Sequence, residues 1–303
     1  MADDEHDHRA YRWTMKRSED GTRIVFDQKV YLSQAEAEGR EAEDTAAEEY
    51  LERKEIEANI RELVRANLTK AMYCQSGAVL LGGIRTLKPG AWYIIGLNPA
   101  GDPKTITRPI IDSIAQPGEL SCYTHECWQP KCKDEWPCLH AEGGRTQERY
   151  LRPHQRRMIA LTREALGLEP AQIFATNAIF ARSARISQLK SETTYSLVDW
   201  WRHCWPVHQH FLSVVRPKTI ISLGHGGNSS AFGLLHAEAG HPPWRKIGDD
   251  NRRGGWIYNA SLRLAPNDVL ETSVIGIPHP SYHALGPILM HQLWEVANLP
   301  TAV

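Results

Sequence analysis

Four short apolar runs, at residues 92–96, 173–177, 219–224 and 273–277, are each bounded by turn-forming residues. Helical patterns lie between and after them, at 155–166, 195–215, 229–239 and 282–297. Uninterrupted apolar strands alternating with helices predict a parallel sheet covered on both faces. The predicted class is therefore α/β: a three-layer α/β/α sandwich around a central, mainly parallel four-stranded sheet. Upstream, Ser33 and Glu36 have capping-box spacing, and Ile56, Ile60, Leu63, Val64 and Leu68 recur at helical spacing. They predict a long, highly charged helix over 33–75, with a break near Gly39. A short strand is expected at 23–30. The chain thus divides into an N-terminal helical extension, 1–75, and an α/β domain, 76–303, with a cysteine-rich insert at 120–141.

A chain of 303 residues can bury a sizeable core, and 42% apolar with 23% charged residues is an ordinary globular balance. Disordered, fibrous and collagen-like classes are excluded on that ground. No apolar run has the length of a membrane span, and the acidic start Met1-Ala2-Asp3-Asp4-Glu5 is unlike a signal peptide. The expectation is a cytoplasmic monomer without a membrane partner, its cysteines reduced or metal-bound. The net charge of −1 conceals an asymmetry. Residues 1–60 carry 17 acids and 9 bases, a net of −8, which leaves 19 acids and 26 bases, a net of +7, for the remainder. The main body is thus compatible with a polyanionic partner.

In such sheets ligands bind at the carboxyl ends of the strands, so those ends carry the candidate chemistry. The first run ends in Gly96-Leu97-Asn98-Pro99-Ala100-Gly101-Asp102-Pro103, a tight turn able to aim backbone N–H groups and Asn98 into a cleft. The second ends in Thr176-Asn177-Ala178-Ile179-Phe180. An Asn inside an apolar strand is costly unless its amide is satisfied, either in the core or by a ligand such as a pyrimidine edge. The third ends in Ser222-Leu223-Gly224-His225-Gly226. The fourth ends in Pro278-His279-Pro280-Ser281, with His279 held between prolines and Ser281 a candidate N-cap for the last helix.

In this order, Gly-Leu-Asn-Pro, Thr-Asn-Ala-Ile-Phe, Ser-Leu-Gly-His-Gly and His-Pro-Ser resemble the uracil-DNA glycosylase superfamily over residues ~90–300. The first motif looks like the Asn-Pro form found in its mismatch-specific and single-strand-selective branches. The resemblance implies a monofunctional DNA glycosylase that flips a uracil-like or modified base from DNA and hydrolyses its N-glycosidic bond. Base-excision repair and defence against phage with modified DNA are the settings it fits. By resemblance, His279 hydrogen-bonds the departing base, Asn98 orients the attacking water and Asn177 reads the base. Gly96, Leu97, Pro99, Ser281 and Tyr282 complete the substrate site. Asp102 is the loop's carboxylate, a candidate general base or a turn former. Tyr282 or Leu285 would fill the space the base leaves. Two departures stand out: Ala100 separates Pro99 from Gly101, and residues 103–122 contain no aromatic to stack on a base. Tyr123 and Trp128 are the nearest substitutes, and a pocket wider than one for uracil follows.

Basic residues cluster at Arg145, Arg149, Arg152, Arg156 and Arg157; at Arg182, Arg185 and Lys190; and at Arg245, Lys246, Arg252 and Arg253, a loop flanked by Trp244 and Trp256. Of these, Arg182, Arg185, Arg252 and Arg253 are the candidate DNA-backbone contacts. Cys122, Cys127, Cys132 and Cys138 fall within 17 residues, a thiolate density that suits structural zinc or, alternatively, an iron–sulfur cluster. Two other readings stand beside the glycosylase: a non-catalytic DNA- or base-binding module on the same fold, and a small nucleotide or nucleoside hydrolase.

Overall fold

The structure is a computed structural model. It describes residues 11–17, 24–31, 34–99, 101–104, 107–114, 123, 141–142, 145–146, 151–248 and 254–298, with the backbone course alone for 11–49, 141–146 and 297–298. The chain separates into two compact units, residues 1–55 and 56–303. The first holds an antiparallel hairpin, β1 (Tyr11–Arg17) and β2 (Ile24–Tyr31), with a bulge between Thr14 and Met15, and the first part of helix α1 (Gln34–Asn67). The helix runs unbroken through Gly39, because its neighbours are strong helix formers that outweigh one glycine's cost of about 1 kcal/mol. Ser33 lies outside the described residues.

In the second unit the end of α1 is core. Ile60, Val64, Leu68 and Met72 are 0–3% exposed, the last of them in the short helix α2 (Lys70–Tyr73). Four-residue spacing puts these side chains on one stripe. The division between the two units falls inside the helix, where the apolar stripe begins.

Among the described residues the sheet of this unit has six strands, not four. Strands β3 (Trp92–Gly96), β6 (Phe174–Asn177) and β7 (Thr219–Leu223) and the end of β10 (Asp268–Ile277) form the expected parallel set, in the order β6-β3-β7-β10. Beyond β10 the sheet continues antiparallel through β9 (Gly255–Ala265) to the edge strand β8 (Arg245–Ile247). A separate two-residue ladder joins β4 (Ala141–Glu142) to β5 (Arg145–Thr146). The β9–β10 hairpin escapes a search for apolar runs because one face of β9 meets solvent. Buried Tyr258, Ala260, Leu262 and Leu264 alternate with exposed Asn259, Ser261, Arg263 and Ala265, and Pro266-Asn267 makes the turn. Arg245 and Lys246, expected in a loop, lie exposed on β8.

Alternate residues of each parallel strand feed two separate cores. Tyr93, Ile95, Phe174, Ile220 and Val274 join one core with α1, α2, α5 (Leu197–Val215) and α6 (Ala231–Glu238). Trp92, Ile94, Ala175, Ile221 and Ile275 join the other with α3 (Pro153–Ala160) and α7 (Pro287–Asn298). Period-two alternation with both faces apolar produces the three layers. A five-residue helix, α4 (Leu189–Thr193), precedes α5, which Ser196 caps by accepting from the Asp199 N–H. Among the described residues no helix is long and apolar enough to cross a membrane.

Candidate functional site

The parallel strands end at Gly96, Asn177, Leu223 and Ile277, and the four motif loops leave from one rim. The loops after β3 and β6 are laced together. Ala178 and Ile179 donate their N–H groups to the carbonyls of Gly96 and Leu97, at 2.8 and 2.9 Å, and Ser183 donates to Pro99 O at 3.2 Å. Asn98 adds a side-chain brace: its Nδ2 donates to Pro99 O at 3.0 Å and to Ser183 O at 3.2 Å. The half-buried amide is thereby fixed through its nitrogen, with Oδ1 as its acceptor end. Leu97 packs against the core, and Pro99 is buried.

Asn177 is 2% exposed, and its Nδ2 has no hydrogen-bond partner among the described residues. A buried donor left in this condition costs about 1–3 kcal/mol. Its place depends on Gly96, the facing residue on β3: a Cβ there would lie 2.8 Å from Asn177 Oδ1. The strand end therefore forms a small polar cradle in an otherwise apolar sheet.

His279 leans toward β7. A Cβ on Gly224, whose φ is +100°, would lie 3.6 Å from His279 Cδ2. Gly224 in turn donates its N–H to Ile277 O at 2.9 Å, joining the two loops. The Ser281 N–H donates to His279 Nδ1 at 3.1 Å. That nitrogen is thus the acceptor, and the neutral ring carries its proton on Nε2. Burial lowers the pKa of His279, which keeps the ring neutral near pH 7. The outcome is a neutral imidazole with Nε2–H as a fixed donor.

Ser281 does not cap the last helix, which begins at Pro287 rather than at residue 282. The segment before it folds instead as a turn on His279 O, which accepts from the N–H groups of Tyr282 and His283 at 3.0 and 3.2 Å. Ser281 Oγ meets His154 Nδ1 at 2.7 Å. His154 was not among the sequence candidates. It sits one residue into α3, and only the tertiary fold reveals its proximity to residue 281. Burial and the nearby His279 and Arg157 push its pKa down to about 3. Tyr282 is 77% exposed, with its ring 5.6 Å from that of His279. Leu285 is half-buried against the second core, lining a groove of about 440 Å³ with Glu164, Met290 and Trp294.

Asp102 is exposed, and its Oδ1 accepts from the Lys104 N–H at 2.9 Å, the geometry of a turn former. Tyr123 is 2% exposed and stacks on His154 at 5.8 Å. Arg182 is half-buried and donates its N–H to Ser76 O, whereas Arg185 and Lys190 are exposed nearby. Arg252, Arg253, Trp128, Ala100, Cys122, Cys127, Cys132 and Cys138 lie outside the described residues. Among the described residues no three His, Cys, Asp or Glu side chains gather as a metal site. His225, two residues beyond β7, has a buried Nε2 without a partner among the described residues, and burial lowers its pKa. No protein-family model matches the chain, and no curated protein matches it.

Proposed function

We propose that the protein is a monofunctional DNA glycosylase that extrudes a uracil-like or modified pyrimidine into this rim and hydrolyses its N-glycosidic bond. The observation that carries the reading is the Asn177 amide, 2% exposed, with no partner for Nδ2 among the described residues, in a cradle that requires Gly96. A base carbonyl satisfies that donor. The sheet order supports the size of the site. The His279 ring covers the end of β7, two strand positions from β6, a span of roughly 10 Å.

In the proposed reaction the C1′–N bond breaks with its electron pair going to the base, leaving oxocarbenium character on the sugar. The Nε2–H of His279 donates to the base oxygen on which negative charge builds. A fixed donor aimed at developing charge is worth about 10²–10³ in rate. Because the imidazole is already neutral, it stabilises the base anion without a proton having to be lost first. Asn98, anchored through Nδ2, offers Oδ1 to a water that attacks C1′. The water's proton leaves to solvent, and the base anion is protonated after departure. Asp102 is assigned to shaping the loop.

DNA is the proposed partner, with Arg185 and Lys190 exposed on the segment that follows β6. Arg252 and Arg253 are proposed to join them. The donor set of Cys122, Cys127, Cys132 and Cys138 suits zinc, which would tie the insert together and supply no step of the reaction. A monomer in the cytoplasm is part of the same reading.

The test is single-turnover base release from single- and double-stranded DNA. The substrates carry uracil, hypoxanthine, xanthine, 5-hydroxymethylcytosine or its glucosylated form, and Asn98→Ala, Asn177→Ala and His279→Ala are assayed alongside. Release of a base by the wild type, with loss of about 100-fold or more in each variant, is expected. No release with salt-dependent DNA binding intact would replace the enzyme with a binding module. Cleavage of free nucleosides without such binding would point to a nucleoside hydrolase.

A further inference from the structure

We propose that His154 is a positioning residue for His279, acting through Ser281. The proposal rests on the reading of His279 as the donor to the departing base.

The first turn of α3 is anchored at several points. Arg152 N–H donates to Gln155 Oε1 at 3.0 Å, and the fully buried Gln155 donates its Nε2 to Tyr123 O at 3.3 Å. From this turn two tethers reach the loop that carries His279. His154 Nδ1 pairs with Ser281 Oγ at 2.7 Å, and Arg157 Nη1 donates to Pro280 O at 2.6 Å. Residues 154 and 157 are three apart and share one helix face. They grip two adjacent residues of the loop. Tyr123 stacks on one face of His154 at 5.8 Å and 19°.

What the tethers fix is the position of the Ser281 backbone. Its N–H is the donor to His279 Nδ1, and that single bond decides which ring nitrogen bears the proton. If Ser281 moves, His279 is free to take the Nδ1–H tautomer or to flip. In either state Nε2 no longer presents a donor to the base. The rings of His154 and His279 are 5.4 Å apart. Held neutral, His154 adds no second cation beside His279, so its contribution is geometric.

The experiment uses the full chain labelled with ¹⁵N-histidine. The ring signals of His279 are identified by their disappearance in His279→Gln. In the wild type they should show a neutral ring protonated on Nε2. Both His154→Ala and Ser281→Ala, which remove opposite ends of one hydrogen bond, should convert this signature to an average of the two tautomers. His154→Asn, whose amide can still pair with Ser281 Oγ, should restore it. In single-turnover assays the chemical step should slow by about ten- to a hundredfold in the two alanine variants. An unaltered His279 signature in both alanine variants overturns the proposal, whatever the activity. If the signature changes but the wild type releases no base from any DNA, the positioning role stands and the glycosylase reading falls.

Discussion

Acidification should destabilise this fold through one buried histidine. His208 on α5 is 1% exposed; Tyr93 on β3 donates its hydroxyl to Nδ1 at 3.0 Å, and Nε2–H donates to Ala178 O at 3.0 Å. Both ring nitrogens are thus engaged by a neutral imidazole, immediately beside the Asn177 cradle. Burial pushes its pKa down from 6.5 to about 4. The unfolded chain therefore binds the proton more tightly, and stability is lost as the pH falls from 6.5 toward 4. At pH 5, about 1.5 units below the unfolded pKa, the loss is about 2 kcal/mol, rising to about 3 kcal/mol below pH 4. His208→Gln isolates this contribution, because its amide can donate to Ala178 O and accept from Tyr93 without titrating. Urea unfolding near pH 7.5 and pH 5, followed by far-ultraviolet dichroism and the fluorescence of buried Trp200 and Trp201, gives the comparison. The pH-dependent loss should be smaller in His208→Gln by about 2 kcal/mol. His154 titrates in the same direction, but it packs on the opposite face of the sheet and cancels in the comparison. Equal losses in the two proteins, within about 0.5 kcal/mol, would refute the reasoning.

Other outcomes follow from the site. Asn177→Ala should change unfolding free energy by no more than about 1 kcal/mol, since Nδ2 has no partner within the described fold, while base release falls about 100-fold. Gly96→Ala places a Cβ 2.8 Å from Asn177 Oδ1, so it should displace the amide and cost about 1–3 kcal/mol by thermal or urea unfolding. Asp102→Asn keeps the acceptor for the Lys104 N–H and should leave base release within about threefold; a hundredfold fall would restore Asp102 as general base. Elemental analysis of the purified protein should find about one zinc per chain, lost with a lowered melting temperature in Cys122→Ser and Cys138→Ser.

The sequence by itself determined the parallel half of the sheet and most of its helices. Residues 92–96, 173–177, 219–224 and 273–277 are apolar on both faces because both faces are covered, a condition that leaves its mark in the local pattern. It also determined which residues stand at the rim: Asn98, Asn177 and His279 follow strand ends, and strand ends of a parallel sheet share one edge. The antiparallel extension was legible only as a period-two pattern in residues 257–264, which contact solvent on one side and so read as polar. The N-terminal boundary lay hidden inside a continuous helix, because helical periodicity does not reveal where a stripe begins to meet a core. Tertiary structure alone decided the rest of the site. It brought His154 to Ser281 across 127 residues of chain and set the His279 tautomer through one backbone N–H. It also left the Asn177 Nδ2 without a partner among the described residues while engaging that of Asn98. Local periodicity records which side of an element is buried, whereas hydrogen-bond partnership depends on which distant atoms the packed elements bring within about 3 Å.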